Sequence, residues 1–225
     1  MGGTFGRMTV EEPPFDVLLK RTDNVDTSYE LRRYHERFAA QAEYPDGSKD
    51  DGTPFRLLAK YIGVFGTPEN EGSQAIAMTA PVVKEEKAPT SIAMTAPVTM
   101  QQEENGKKTM QFILPKEFDS MEKIPKPTNP AVTIVEVPPA VGAVHRFSGS
   151  DFSMTKGKSV ADSMVAQLGK DGVDLSSMNV MKEMQIWGYN PPWTIPFLRR
   201  NEVWLPLTEE QVSKLVNEFD PSATS

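Results

Sequence analysis

The chain has 225 residues, 38% of them hydrophobic, with no cysteine, two histidines and a formal net charge of −7; that length suits one large domain or two small ones. Without cysteine there are no disulfides, iron–sulfur clusters or cysteine nucleophiles, and His35 and His145 alone do not make a histidine-rich metal site. The acidic balance argues against nucleic-acid binding, its basic residues forming only short pairs such as Arg32-Arg33 and Arg199-Arg200, and apolar runs of a few residues fall short of the ~20 that a membrane helix needs.

The N-terminus lacks the charged-then-apolar pattern of a signal peptide, carries Glu11 and Glu12 early, and has Gly6 where myristoylation needs Ser or Thr. The expected compartment is the cytoplasm. Residues 1–28 read as a proline-containing, extended lead-in. Tyr29–Tyr34 and Phe38–Tyr44 read as strands, and Tyr44-Pro45-Asp46-Gly47 starts a turn-rich loop. A helix follows: Thr53 can cap it, Pro54 suits its first position, and Gly63 or Gly66 can end it.

The heptapeptide Ile-Ala-Met-Thr-Ala-Pro-Val then occurs twice, at 76–82 and 92–98, around a charged, turn-like Val83–Ser91. Two strand-like runs about a polar loop predict a hairpin, with the prolines at strand ends or bulges. Lys108–Leu114 is a strand closed by Pro115, and 116–130, with Pro125, Pro127 and Pro130, reads as a linker.

Val132–Val137 and Val141–Phe147 read as strands. Residues 156–170 form a helix with Ala161, Met164, Val165 and Leu168 at helical spacing, followed by Gly172. Met181–Tyr189 reads as a strand broken at Asn190-Pro-Pro-Trp193, and Asn201–Leu207 as the last strand. Thr208 and Gln211 make a capping box for a terminal helix to Phe219, and Pro221–Ser225 is a tail. Each half therefore reads strand–strand–helix–strand–strand, and Phe112-Ile-Leu-Pro115 matches Val203-Trp-Leu-Pro206. The expected fold is α+β: a pseudo-twofold, strongly curved antiparallel sheet or barrel with two main helices outside. The repeats cover about 29–115 and 131–207 of a single domain over 29–207, with 208–225 as C-terminal helix and tail.

The first helix carries two apolar faces. Phe55, Leu58, Ala59 and Ile62 form one stripe; Leu57, Tyr61 and Val64 form another on the opposite side, with Arg56 and Lys60 between. A helix packed on one sheet needs only one stripe. Either the helix is wedged between the sheet and a loop, or its second stripe lines a groove for a flat apolar ligand with acidic groups at its edge.

Met78-Thr-Ala-Pro-Val82 and its copy, Tyr29-Glu-Leu-Arg-Arg-Tyr34, Leu58-Ala-Lys-Tyr-Ile-Gly63, Gly188-Tyr-Asn-Pro-Pro192 and Arg199-Arg-Asn-Glu-Val-Trp-Leu205 together resemble the SOUL/haem-binding protein family, from about residue 10 to 207. The lead-in and the doubled motif look closest to its plant and algal branch. The resemblance implies a distorted antiparallel β-barrel of two four-stranded sheets flanked by helices, similar to the tandem-repeat GyrI-like fold. It also implies binding of haem or another tetrapyrrole in an exposed apolar groove between the first helix and the loop before the last strand. Carried over by position, that groove takes Phe55, Ala59, Lys60 and Ile62 from the helix and Tyr189, Trp193, Phe197, Arg199 and Arg200 from the loop. Phe55 and Ala59 would be apolar contacts and Lys60 a propionate partner. Arg199 or Arg200 would replace a loop lysine that falls near Thr194–Ile195 in a mapped relative, where this chain has no charge.

The histidine proposed as iron ligand in one branch of the family is Arg33 here. His35, two residues on, shares its strand face about 7 Å away, and His145 shares a face with Ala143 and Phe147. Either is a candidate axial ligand; Met78 and Met94 are others. The remaining option is no protein ligand, the disc being held by burial and by stacking on Tyr189, Pro191, Pro192, Trp193 and Phe197. No nucleophile–base motif stands out. Glu202, in the last strand, is the best candidate general base for hydrolysis, the alternative being a strand carboxylate paired with Arg199 or Arg200; in haem iron removal, the proton could come from His145, His35 or Glu202. The expected function is a carrier or buffer for a small-molecule tetrapyrrole, without nucleic acid or membrane span, in a monomer or weak dimer. A protein-interaction adaptor presenting Met164–Val173 is a third class.

Overall fold

In a computed structural model of the chain, residues 11–44, 52–77, 82–87, 107–190 and 194–220 are described. Strands β1 (Phe15–Arg21), β2 (Tyr29–Tyr34) and β3 (Arg37–Glu43) precede helix α1 (Gly52–Ile62), β4 (Val82–Lys87) and β5 (Lys107–Ile113). The second half runs β6 (Val132–Val137), β7 (Ala140–Phe147), α2 (Met154–Lys170), α3 (Val180–Glu183), β8 (Gln185–Gly188), β9 (Asn201–Pro206) and α4 (Glu209–Phe219). The architecture is α+β, as expected from the pattern.

Among the described residues, nine strands join one antiparallel sheet in the order β1-β2-β7-β9-β8-β4-β5-β3-β6. Leaving β1 aside, the order reads the same from either end once β2, β3, β4 and β5 are exchanged for β6, β7, β8 and β9. The four-stranded halves meet at a central seam between β4 and β8, where Val82 faces Gly188 and Glu85 faces Gln185. Each half also lends its first strand to the other: β2 pairs with β7, and β6 with β3.

Strand alternation sorts the side chains onto two faces. On one face α1 covers Phe38, Ala40, Ala42, Met110 and Phe112, while α2 and α4 cover Leu31, Ala143, Ile186, Val203 and Leu205. The opposite face carries an aromatic core of Tyr34, Trp187, Tyr189 and Trp204, with Phe15 against it.

The two main helices end in the same way. Val64 N–H donates to Ala59 O and Gly63 N–H to Lys60 O, while Val173 N–H donates to Leu168 O and Gly172 N–H to Gly169 O. Gly63 and Gly172 hold the left-handed φ of +89° and +92° that this double-bonded stop requires. Ser153 caps α2 through Lys156 N–H, and the Thr208–Gln211 capping box starts α4 as the sequence predicts.

Four segments differ from their sequence expectation. The lead-in contains β1, paired along β2. The 76–82 run is not a strand at its start: Ile76 is buried against α1, its N–H on Ile62 O, and the strand is Val82–Lys87, which begins on the last residue of that run and continues into the charged stretch read as a turn. The second heptapeptide lies outside the described residues. The 116–130 linker is packed, with Phe118 and Ile124 in the α1 core. Finally, the front of Met181–Tyr189 is helical and only Gln185–Gly188 is strand.

Candidate functional site

The seam positions the site. Val82 and Gly188 lie opposite each other on the helix-bearing face. Over them α1 brings Phe55, the turn before α2 brings Ser150, Asp151, Phe152 and Ser153, and the β8–β9 connection brings Asn190, Arg199 and Asn201. These residues line a cavity of about 370 Å³, at the lower end of small-molecule sites. The Phe55 ring is braced edge-on by Phe112, their centroids 5.4 Å apart. Phe152 occupies the space that a side chain at 188 would need, its Cζ 2.9 Å from where a Cβ would stand.

Hydrogen bonds lock the rim. Asn201 Nδ2 donates to Gly149 O (3.1 Å), and Gly149 N–H donates to Pro196 O (3.1 Å), tying the turn before α2 to the β8–β9 connection. Arg199 Nε donates to Thr194 O at 2.8 Å, and Asn190 Oδ1 accepts from Arg200 N–H at 2.6 Å. Asp151, exposed at the mouth, accepts from Ser153 N–H. The lining thus offers aromatic and aliphatic walls, one guanidinium and two side-chain amides. It contains no histidine, methionine, tyrosine or cysteine among the described residues, so the described wall has no customary haem-iron ligand.

The residues singled out in the sequence divide. Phe55 and Arg199 meet in this wall. Ala59 and Ile62 do not reach it: at 0% and 3% exposure they pack into the α1 core. Lys60 is exposed and pairs with Glu69 at 3.4 Å, away from the lining. Of the second stripe of α1, Tyr61 is covered by the linker while Val64 stays exposed: Tyr61 is buried, its hydroxyl donating to Pro125 O at 2.8 Å, and burial pushes its pKa up to about 12. The helix is therefore wedged between sheet and loop at Tyr61. Phe197 stands outside the wall, fully on the surface. Trp193, Pro191, Pro192, Met78 and Met94 lie outside the described residues.

Tyr189 and Arg200 belong to the other face of the sheet. Their sequence neighbours Asn190, Arg199 and Asn201 point to the cavity, and alternation sends these two the opposite way. There they meet Glu202, fully buried, whose carboxylate accepts from the Tyr189 hydroxyl (2.7 Å), from Arg200 Nε (2.9 Å) and from both Arg32 terminal nitrogens (2.9 and 3.3 Å). Burial opposes the Arg32 charge, but Glu202 outweighs it and holds the guanidinium pKa above its ordinary value. Burial, then the Glu202 charge, drives the Tyr189 hydroxyl well above the usual tyrosine range. Glu202 is thus the paired strand carboxylate, bonded by Arg200 and also by Arg32, which the sequence reading did not foresee.

The histidines also stand apart from the cavity. His35 is half-exposed at the end of β2, its Nε2 3.2 Å from an Asp16 oxygen. His145 Nδ1 is 2.6 Å from Ser28 O. The sequence reading missed Phe152, Val82, Gly188, Asn190 and Asn201. Phe55 lies in the first turns of α1 and Phe152 just before α2, and no motif in the sequence pairs them.

The model of the family described as SOUL heme-binding protein matches residues 10–206. A search of curated proteins finds no match. Similar solved structures include the EcmrR C-terminal domain, with 10% identity and a TM-score of 0.49 over 81% of this chain and 98% of that one. A hydrolase encoded by lin2189 from Listeria innocua has 11% identity and a TM-score of 0.47 over 83% and 94%. SAV2435 bound to tetraphenylphosphonium has 10% identity and a TM-score of 0.41 over 81% and 95%. At these values the likeness carries no functional argument. With its match spanning nearly the whole chain, the protein belongs to the SOUL heme-binding protein family.

Proposed function

We propose that the protein binds haem or a related tetrapyrrole reversibly in the cavity over the β4–β8 seam, and serves as a cytoplasmic carrier or buffer for it. The observation that carries this reading is the meeting of Phe55, Val82 and Phe152 with Arg199 around one opening. A tetrapyrrole is a flat apolar disc with carboxylates at one edge, and it needs apolar walls with a cation at the rim. Burying about 300 Å² of its apolar surface at ~25 cal/mol/Å² supplies roughly 7–8 kcal/mol before ordering costs, enough for useful affinity without an iron–protein bond. The absence of customary iron ligands from the described lining supports such a ligand-free mode and loose selection among tetrapyrroles. Residence without a coordinate bond suits pick-up and release. The Glu202 carboxylate, engaged by Tyr189, Arg200 and Arg32, is poorly placed to act as the base of the enzymatic alternative.

Hemin titration tests the reading. The expected result is a one-to-one shift of the Soret band, lost or weakened at least tenfold in Phe55→Glu and weakened in Arg199→Glu. No binding below about 10 μM, or equal binding by both variants, would overturn it.

A further inference from the structure

Large apolar side chains scattered singly over a surface need no explanation, but a cluster does. Three of those that stay exposed here, Ile195, Phe197 and Leu198, sit in one four-residue turn at 52%, 72% and 60% exposure. The turn is not loose chain that happens to point outward. Pro196 fixes the backbone at its first helical position, Leu198 N–H donates to Ile195 O, and Arg199 N–H donates to Pro196 O. Gly149 N–H also anchors Pro196 O, and Arg199 Nε braces Thr194 O. The fold therefore holds three apolar side chains away from itself, beside a cavity whose apolar wall they do not enter.

What fits such a tip is set by its size and by the order of its chemistry. Three side chains offer on the order of 300 Å² of apolar surface, whereas a stable protein interface takes about 800 Å² from each partner. Among the described residues around the tip, Ser150 and Asp151 are polar and at least partly exposed, so the described patch stays small. A bilayer asks for less: a few apolar side chains inserted at the acyl boundary, with a cation behind them at the phosphate level. Arg199 follows Leu198 in the chain and is braced on Thr194 O, which makes it the cation available at the base of the turn. Arg200 does not add to it, since Glu202 and Glu12 hold its guanidinium on the other face.

We infer that the Ile195–Leu198 turn is a membrane-docking tip that inserts into the interface of a phospholipid bilayer. The net charge of −7 gives no long-range attraction to an anionic surface, so docking is hydrophobic, occurs on zwitterionic lipid and survives high salt. Arg199 is shared between the turn and the cavity wall, so docking brings the cavity mouth to the lipid. Resting on the function proposed above, this gives an apolar ligand a route from lipid to protein that avoids open water.

Co-sedimentation of the full chain with phosphatidylcholine vesicles tests the inference. Binding is expected, unchanged from 0.05 to about 0.5 M salt, and reduced about tenfold or more in Phe197→Ser combined with Leu198→Ser. Phe197→Trp is expected to be quenched by brominated lipid. Failure to sediment, binding that requires anionic lipid at low salt, or equal binding by the double variant overturns the inference. So does a concentration-dependent dimer in lipid-free solution that the double variant abolishes, which would assign the tip to a second copy. Hemin titration of the double variant without vesicles keeps the two readings separate, since the tip lies outside the cavity wall and affinity there should hold.

Discussion

Phe152 sits where a side chain at Gly188 would have to stand: a Cβ on Gly188 would lie 2.9 Å from the ring Cζ and 3.1 Å from Cε2. The seam glycine therefore decides how deep the ring seats and how much of the cavity stays open. Gly188→Val is expected to drive Phe152 off the sheet and into the cavity, weakening hemin binding about tenfold. The same overpacking should cost about 1–3 kcal/mol of stability. Titration and urea denaturation of the one variant read both effects.

Glu202 answers to the opposite face. Glu202→Gln leaves Arg32 and Arg200 facing a neutral amide in a buried cluster, and removal of one partner from such a network costs about 3–5 kcal/mol. The hemin spectrum should not change, because the carboxylate is separated from the cavity by the sheet. A variant that loses hemin binding while keeping its urea midpoint would reverse this assignment.

The histidines should be silent in the Soret band. His35 makes an exposed pair with Asp16, and its replacement by Ala is expected to cost under about 1 kcal/mol. His145→Ala removes the contact with Ser28 O and should cost about 1 kcal/mol. Hemin spectra of the single and double variants are expected to match that of the parent chain.

Burial pushes both Tyr34 and Tyr61 up to about 12. An unfolded chain releases these protons near pH 10, so between pH 10 and 12 the unfolded state binds fewer protons than the folded one. Stability fully present below pH 10 should therefore decline as pH rises towards 12. Tyr61→Phe should abolish its share of the decline and lower the neutral-pH plateau by about 1 kcal/mol through the lost bond to Pro125 O. Urea midpoints taken at steps from pH 9 to 11.5 check the slope.

Local signals were the legible ones. Tyr29–Tyr34 and Val132–Val137 are strands at the predicted bounds, and the Thr208–Gln211 capping box starts its helix. These are choices that propensity and capping settle within a few residues. What escaped was set by distant partners. Val82–Lys87, charged and flanked by proline, is a strand because β5 and β8 offer it a backbone ladder on both sides. The site was half legible for the same reason. Phe55 and Arg199 were found, but Tyr189 and Arg200 were grouped with them by nearness in sequence. The β8–β9 register, Trp187 opposite Glu202 and Gly188 opposite Asn201, sends alternate residues to opposite faces. Phe152 carries no motif and Val82 only closes one, and both become wall residues only once the seam exists.

The exchange of first strands has a consequence for how the molecule is made. Tyr34 must wait for Ala140, its partner across β2 and β7, and Ala40 for Ile134 across β3 and β6. At the pace of synthesis the first of these delays is on the order of ten seconds. Throughout it the emerging N-terminal half has an open strand edge and nothing of its own to close it. The two repeats are thus unable to mature one after the other. Cut apart and produced together, they should behave as complementary fragments, each furnishing the strand that the other lacks.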